Sequence, residues 1–273
     1  MRGRRLKPKA MVLTGYGINC DYETSYACEV AGFQSKRIHL NDLLDSPETL
    51  NDYRLIVFPG GFTFGDDLGS GVAFSAKIKF SVLKDGKRLF DILTEHIEKD
   101  GLILGICNGF QILVRLGIIP ACANRYGAQE VTLAPNKSGY FIDRWVNLIA
   151  EKESPNIFTR GLERLRLPVR HGEGRFIPLN DKTLNEIENH NHVALRYADK
   201  QFKTTQIFPM NPNGSTNAIA GICDSTGRAF GLMPHPEAAI SIYQYPDWTR
   251  KGRNMQTEGD GLNIFKNAFD YFK

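Results

Sequence analysis

Leu102-Ile103-Leu104-Gly105-Ile106-Cys107-Asn108-Gly109-Phe110-Gln111-Ile112-Leu113 carries the reading of this chain. An apolar run of strand length, Leu102 to Ile106, meets a helical stretch, Gly109 to Leu116, with Cys107 at the junction. G-x-C-x-G in that setting is the nucleophile-elbow pattern with cysteine in place of serine. A sharp strand-to-helix turn strains its central residue, so the flanks must be small, and Gly105 and Gly109 supply the room. The turn also sets the sulfur at a helix N-terminus, where the dipole and free N–H groups favour thiolate. The next N–H, on Asn108, points at a developing oxyanion. The plain alternative is a buried structural cysteine, as most free cysteines are. The strand before and the helix after favour the elbow.

Outward from the elbow, the first half alternates short apolar runs with helical stretches. Strands are expected at Ala10 to Leu13, Ser35 to Leu40 and Arg54 to Phe58, and helices at Asp21 to Val30 and Lys87 to Lys99. Such alternation implies a parallel sheet covered by helices on both faces. The second half is richer in strand signals: Glu130 to Leu133, Tyr140 to Leu148, Arg164 to Arg170, Val193 to Tyr197, Ala218 to Cys223 and Ala229 to Met233. Ser225-Thr226-Gly227 reads as a hairpin turn between the last two. A closing helix, Gly261 to Phe272, sets Leu262, Phe265, Phe269 and Phe272 on one core-facing stripe. The fold class is therefore α/β: an open, mostly parallel sheet flanked by helices, with antiparallel strands added in the second half.

A thiol nucleophile needs a base, and Met233-Pro234-His235-Pro236-Glu237 stands out among the six histidines. Proline restricts its own backbone and that of the residue before it, so His235 and Glu237 are expected in extended chain, side chains pointing the same way. A carboxylate so placed accepts the Nδ1 proton and leaves Nε2 for the sulfur. A proline-rich surface turn with an incidental histidine is the alternative. His190 and His192 form an H-x-H without a suitable third ligand, so no metal site is expected. Cys20, Cys28, Cys122 and Cys223 lack the elbow setting and read as inert.

The 273 residues favour one large domain, long enough to bury a core without metals or disulfides. The net charge of +4 is small and gives no nucleic-acid signature. Its one cluster, Arg2 to Lys9, reads as a flexible basic arm, residues 1–9, ahead of a single domain at 10–273. Five cysteines without a CxxC suit a reducing compartment, and no apolar run is long enough for a membrane span. The expected location is the cytoplasm.

Five segments together, PGGFTFGDD (Pro59 to Asp67), GICNGFQIL (Gly105 to Leu113), HGEGRF (His171 to Phe176), NPNGS (Asn211 to Ser215) and GLMPHPE (Gly231 to Glu237), resemble the class I glutamine amidotransferases, which have a flavodoxin-like α/β fold. More narrowly, the chain is similar to the glutaminase subunits of phosphoribosylformylglycinamidine synthases, of purine biosynthesis. The resemblance implies that Cys107 forms a γ-glutamyl thioester, with His235 as general base and acid and Glu237 as its orienter. It implies an oxyanion hole from the backbone N–H groups of Gly61 and Asn108, and Gln111 at the amino-acid end of L-glutamine. His171, Gly172 and Glu173 line either the glutamine pocket or the face toward a synthetase. It implies no cofactor in this chain, with ATP and Mg on a synthetase partner joined through a small bridging subunit. The absence of a GxxxxGK[ST] loop agrees with that division.

Two departures bear on docking. Leu68-Gly69-Ser70-Gly71 stands where the family often has an arginine-containing loop, and Ala238-Ala239 follows PHPE where arginine is usual. Rival readings are a cysteine hydrolase for another amide, a glutaminase feeding a different synthetase, and a non-catalytic binding or stress-response module on the same scaffold.

Overall fold

The computed structural model describes residues 7–122, 125–250 and 257–273. A nine-stranded sheet runs β2-β1-β3-β4-β11-β10-β9-β6-β7. Its first five strands, β2 (Gln34–His39), β1 (Lys9–Thr14), β3 (Leu55–Phe58), β4 (Leu102–Ile106) and β11 (Ala229–Leu232), are mutually parallel. From β11 onward, β10 (Ile219–Cys223), β9 (Val193–Ala198), β6 (Ile142–Ala150) and β7 (Arg164–His171) pair antiparallel. The expected fold class is the observed one.

Burial explains the division. Every residue of β3, β4, β10 and β11 is buried, as strands covered on both faces must be. Helix α1 (Asp21–Ala31) follows β1, α4 (Leu89–Glu98) precedes β4 and α5 (Asn108–Leu116) follows it. Gly32 ends α1 in the left-handed conformation at φ 118°, and its N–H caps the carbonyls of Cys28 and Glu29. Helix α7 (Leu262–Asp270) buries Leu262 and Phe265, while Phe269 and Phe272 stack edge-on against Phe33. Those aromatics are core packing, as their spacing predicts.

The hairpin at Ser225-Thr226-Gly227 is present, fastened by the fully buried Asp224, which accepts hydrogen bonds from Ala229 N–H and the Thr226 hydroxyl. Other elements escape the sequence reading. Helices α2 (Leu40–Asp45) and α3 (Val72–Phe80) lie where only connecting chain is expected. So does α6 (Asp181–Asn189), whose only apolar side chains are Leu184 and Ile187; it buries only Thr183 and Ile187 and starts at an Asn180 cap. The expected strand at Glu130 appears as β5 (Val131–Pro135), paired with β8 (Glu173–Pro178) in a separate two-stranded sheet. The glycines of HGEGRF hide β8. Of the basic arm, residues 1–6 lie outside the described residues, and Lys9 already pairs with Gln34 in β1.

Candidate active site

In an open parallel sheet, ligand sites form outside the carboxyl ends of the strands, where the strand order reverses. The chain leaves β1 for β2 on one side and later returns to β3 on the other, so the reversal falls at β1 and β3. The loops leaving β1, β3, β4 and β11 carry Cys20, Gly61, Cys107 and His235. These four line one cavity of about 260 Å³.

At the elbow, Cys107 holds φ 52° and ψ −104°, a conformation side chains rarely adopt. Its N–H donates to the Leu232 carbonyl at 2.8 Å, which ties the turn to β11. A Cβ on Gly109 would lie 1.8 Å from the Phe58 carbonyl oxygen, and one on Gly105 would lie 2.7 Å from the Gly109 carbonyl oxygen. The two glycines are thus required by backbone approach, as G-x-C-x-G predicts. Cys107 is 6% exposed, and its sulfur lies 3.7 Å from the Arg170 carbonyl oxygen. Asn108 opens α5, so its N–H has no partner within the helix. Gly61, at φ 151°, bridges to Ile18 in the loop after β1.

His235 and Glu237 meet: Nδ1 and Oε1 are 2.6 Å apart, with both side chains buried. The local structure differs from the extended pair expected. His235 is extended, but Pro236–Ala239 forms a 3-10 turn that swings Glu237 back onto the imidazole. Proline suits the first position of such a turn, since its φ is already right and its missing N–H would have no partner there. The His235 N–H donates to the Pro168 carbonyl at 2.8 Å, fixing the loop to β7. Burial alone lowers the proton affinity of this imidazole; the Glu237 carboxylate and the Cys107 thiol outweigh burial and raise it well above that of free histidine. With Nδ1 committed to Glu237, Nε2 is the nitrogen available for proton exchange.

Gln111 and Glu173 are joined to each other. Gln111 Nε2 donates to the Glu173 carbonyl at 2.6 Å, and its Oε1 accepts from Asn108 Nδ2 at 2.9 Å. The Glu173 carboxylate accepts the Ser70 N–H at 3.3 Å, and Arg115 Nε donates to the Ser70 carbonyl at 2.7 Å. Arg115 thus reaches the loop Leu68-Gly69-Ser70-Gly71. Gly172 offers its carbonyl to the Asn136 N–H. His171 is buried with Nδ1 3.0 Å from Asn136 Oδ1, and burial, then nearby His235, push it down to about 3. None of Gln111, His171, Gly172 or Glu173 lies on the wall of the nucleophile's cavity.

Other residues do. Cys20, read from sequence as inert, lines the cavity, and a Cβ on Gly60 would fall 3.2 Å from its sulfur and 2.8 Å from His235 Cε1. Glu23, Phe62, Phe141 and Arg170 line it too. Their signal is topological: Cys20 and Glu23 stand where α1 begins, just past the carboxyl end of β1. A larger hollow of about 790 Å³ lies over β6 and β7, lined by Trp145, Arg166 and Tyr245, but holds neither Cys107 nor His235. Chemistry, not volume, locates the site. Among the described residues, two groups of three potential donors come close enough for an ion, Cys20-His235-Glu237 and Cys122-Glu130-Glu186, and neither includes His190 or His192. In the first, the short His235–Glu237 hydrogen bond already engages both partners.

Residues 7–272 match the family model of the CobB/CobQ-like glutamine amidotransferase domain, which fixes the class as glutamine amidotransferase. The chain is 42% identical to the phosphoribosylformylglycinamidine synthase subunit PurQ of Methanococcus maripaludis, over 98% of each chain. It is also 42% identical to that of Dehalococcoides mccartyi, over 96% of each. A chain in the solved structure of PurLQS from Thermotoga maritima superposes with a TM-score of 0.69 at 32% identity, covering 98% of this chain and all of that one. The chain belongs to the glutamine amidotransferases and, among them, to the PurQ family.

Proposed function

We propose that this chain is the glutaminase subunit of a phosphoribosylformylglycinamidine synthase, and that Cys107, His235 and Glu237 do its chemistry. Cys107 sulfur attacks the side-chain amide carbon of L-glutamine, and the oxyanion that develops lies toward the N–H groups of Gly61 and Asn108. His235, which has taken the thiol proton on Nε2, returns it to the departing nitrogen, so ammonia leaves and a γ-glutamyl thioester remains. Water then attacks the thioester; His235 removes its proton, and glutamate departs as the thiol is restored. Glu237 holds the imidazole in one tautomer and favours its charged form. The observation that carries this reading is the buried Glu237 bonded to His235, whose ring lines the same cavity as Cys107.

Ammonia released into bulk water at neutral pH is mostly protonated and loses its nucleophilicity. Direct hand-over to a synthetase subunit avoids that loss, and the PurLQS neighbour supports such an assembly. In this reading the synthetase holds ATP and Mg, and a small subunit bridges the two.

Exposure to the electrophilic glutamine analogue diazo-oxo-norleucine tests the chemistry. The expected result is one adduct, on the Cys107 peptide, with loss of glutamine hydrolysis. An unlabelled Cys107 in a protein that still releases glutamate refutes the assignment. Coupling is tested separately, by the rise in glutamate release when synthetase is added; full activity of the lone chain counts against it.

A further inference from the structure

Asn108 meets the loop after β3 through its side chain as well as opening α5 with its main chain. Its Oδ1 accepts the Thr63 hydroxyl at 2.8 Å and the Thr63 N–H at 3.4 Å. Thr63 lies two residues past Gly61, and both Thr63 and Asn108 are buried. The amide is held in one sense, because Nδ2 donates to Gln111 Oε1 at 2.9 Å and to Asp66 Oδ1 at 3.4 Å. Turned over, it would set a donor against the Thr63 N–H and an oxygen against the Asp66 carboxylate. The loop after β1 holds the same segment through main chain: Phe62 N–H donates to the Gly17 carbonyl at 2.8 Å and Phe64 N–H to the Tyr16 carbonyl at 3.0 Å. Phe64 and Asp66 both adopt φ 54°, a conformation that persists where the surroundings enforce it.

We propose that Thr63 and the Asn108 side chain are positioning residues, whose hydrogen bonds fix the spacing of the Gly61 and Asn108 N–H groups around the oxyanion. The inference rests on the functional reading above, in which those two N–H groups face the reacting amide oxygen. The two donors belong to different elements, the loop after β3 and the first turn of α5. A preorganised site needs such groups held to within about 0.5 Å. The fork from Thr63 to Asn108 Oδ1 joins the two elements directly. Thr63 does not line the cavity of Cys107, so its hydroxyl acts through Asn108 and the loop. Attack by Cys107 and attack by water on the thioester both pass through an oxyanion, so the clamp serves whichever step limits turnover.

Thr63→Val keeps the shape of the side chain and the main-chain N–H but removes the hydroxyl. Glutamate release is measured with the full chain in the presence of its synthetase. In T63V, kcat is expected to fall roughly 10- to 100-fold, less than outright loss of an oxyanion donor, with KM changed less than about threefold. T63S keeps the hydroxyl and should restore kcat. Alkylation of Cys107 by iodoacetamide forms the sulfur–carbon bond as iodide leaves, without an oxyanion. Its rate should therefore be the same in T63V as in wild type. Wild-type kcat in T63V would overturn the proposal, and so would a defect that T63S shares. Equal losses of turnover and alkylation would show a disturbed elbow and overturn it as well. If T63V is insoluble, T63A, which adds no methyl group, is held to the same criteria. A wild-type protein that never hydrolyses glutamine refutes instead the functional reading on which this one stands.

Discussion

His235 Nδ1 and Glu237 Oε1 are 2.6 Å apart although a single proline separates the two residues in sequence. The contact depends on a change of backbone within three residues, from extended at His235 to a 3-10 turn starting at Pro236. A buried carboxylate is costly unless paired, and the imidazole is its partner. The same contact that stabilises the loop therefore raises the basicity of the ring that faces Cys107.

Glu237→Gln keeps the shape of the pair and removes its charge. Glutamine hydrolysis is expected to fall about 100-fold or more, and the His235 imidazole should titrate at lower pH, because the anion that raised its proton affinity is gone. Kinetics and NMR titration of the ring check both. A ring that titrates as in wild type would refute the electrostatic role.

The strain at Cys107 predicts a difference between two inactive variants. Alanine keeps a Cβ at φ 52°, whereas glycine adopts that conformation freely. Cys107→Gly should therefore be more stable than Cys107→Ala by about 1 kcal/mol once glycine's greater entropy in the unfolded chain is set against the relief. Denaturant unfolding of the pair measures it, and the reverse order would mean the elbow is relaxed.

Gly109→Ala places a methyl group 1.8 Å from the Phe58 carbonyl oxygen, a backbone atom of a fully buried strand. Neither side can yield without shifting β3 or α5. A loss of about 3 kcal/mol or more is expected, seen as a lowered melting temperature or insoluble protein. Wild-type stability would contradict the close approach of strand and helix.

Two buried histidines set an acid limit. Burial pushes His96 down to about 4 and His171 to about 3. Unfolded, both take up protons as pH falls through about 6.5. The folded protein resists protonation there, so the unfolded state binds more protons and stability drops as pH falls from about 6.5 toward 4. Equilibrium unfolding across that range should show the decline, and His96→Gln should flatten it. Equal slopes for the two proteins would exclude His96 as a contributor.

The elbow was legible because its constraint is local: a strand, a bend and a helix demand small residues at Gly105 and Gly109 wherever the rest of the chain lies. The pairing of His235 with Glu237 was legible too, but not its geometry, since the prolines suggest extended chain and the turn arises from docking on β7. Cys20, Glu23 and Arg170 escaped because their place at the cavity is created by the order of strands, which no short motif encodes. Helix α6 escaped for another reason. Its nine residues carry a single apolar pair, Leu184 and Ile187, too short a pattern to stand out from a polar loop.

Strands β4 and β11 are neighbours and parallel, with Gly105 opposite Gly231 and Ile106 opposite Leu232. The sulfur-bearing turn leaves one and the imidazole-bearing loop leaves the other, in the same direction, though more than a hundred residues intervene. Their distance apart is thus governed by a single rung of main-chain hydrogen bonding. The long chain inserted between them can lengthen or shorten in its outer loops while that rung stays put, provided β7 still offers the Pro168 carbonyl that holds the His235 loop.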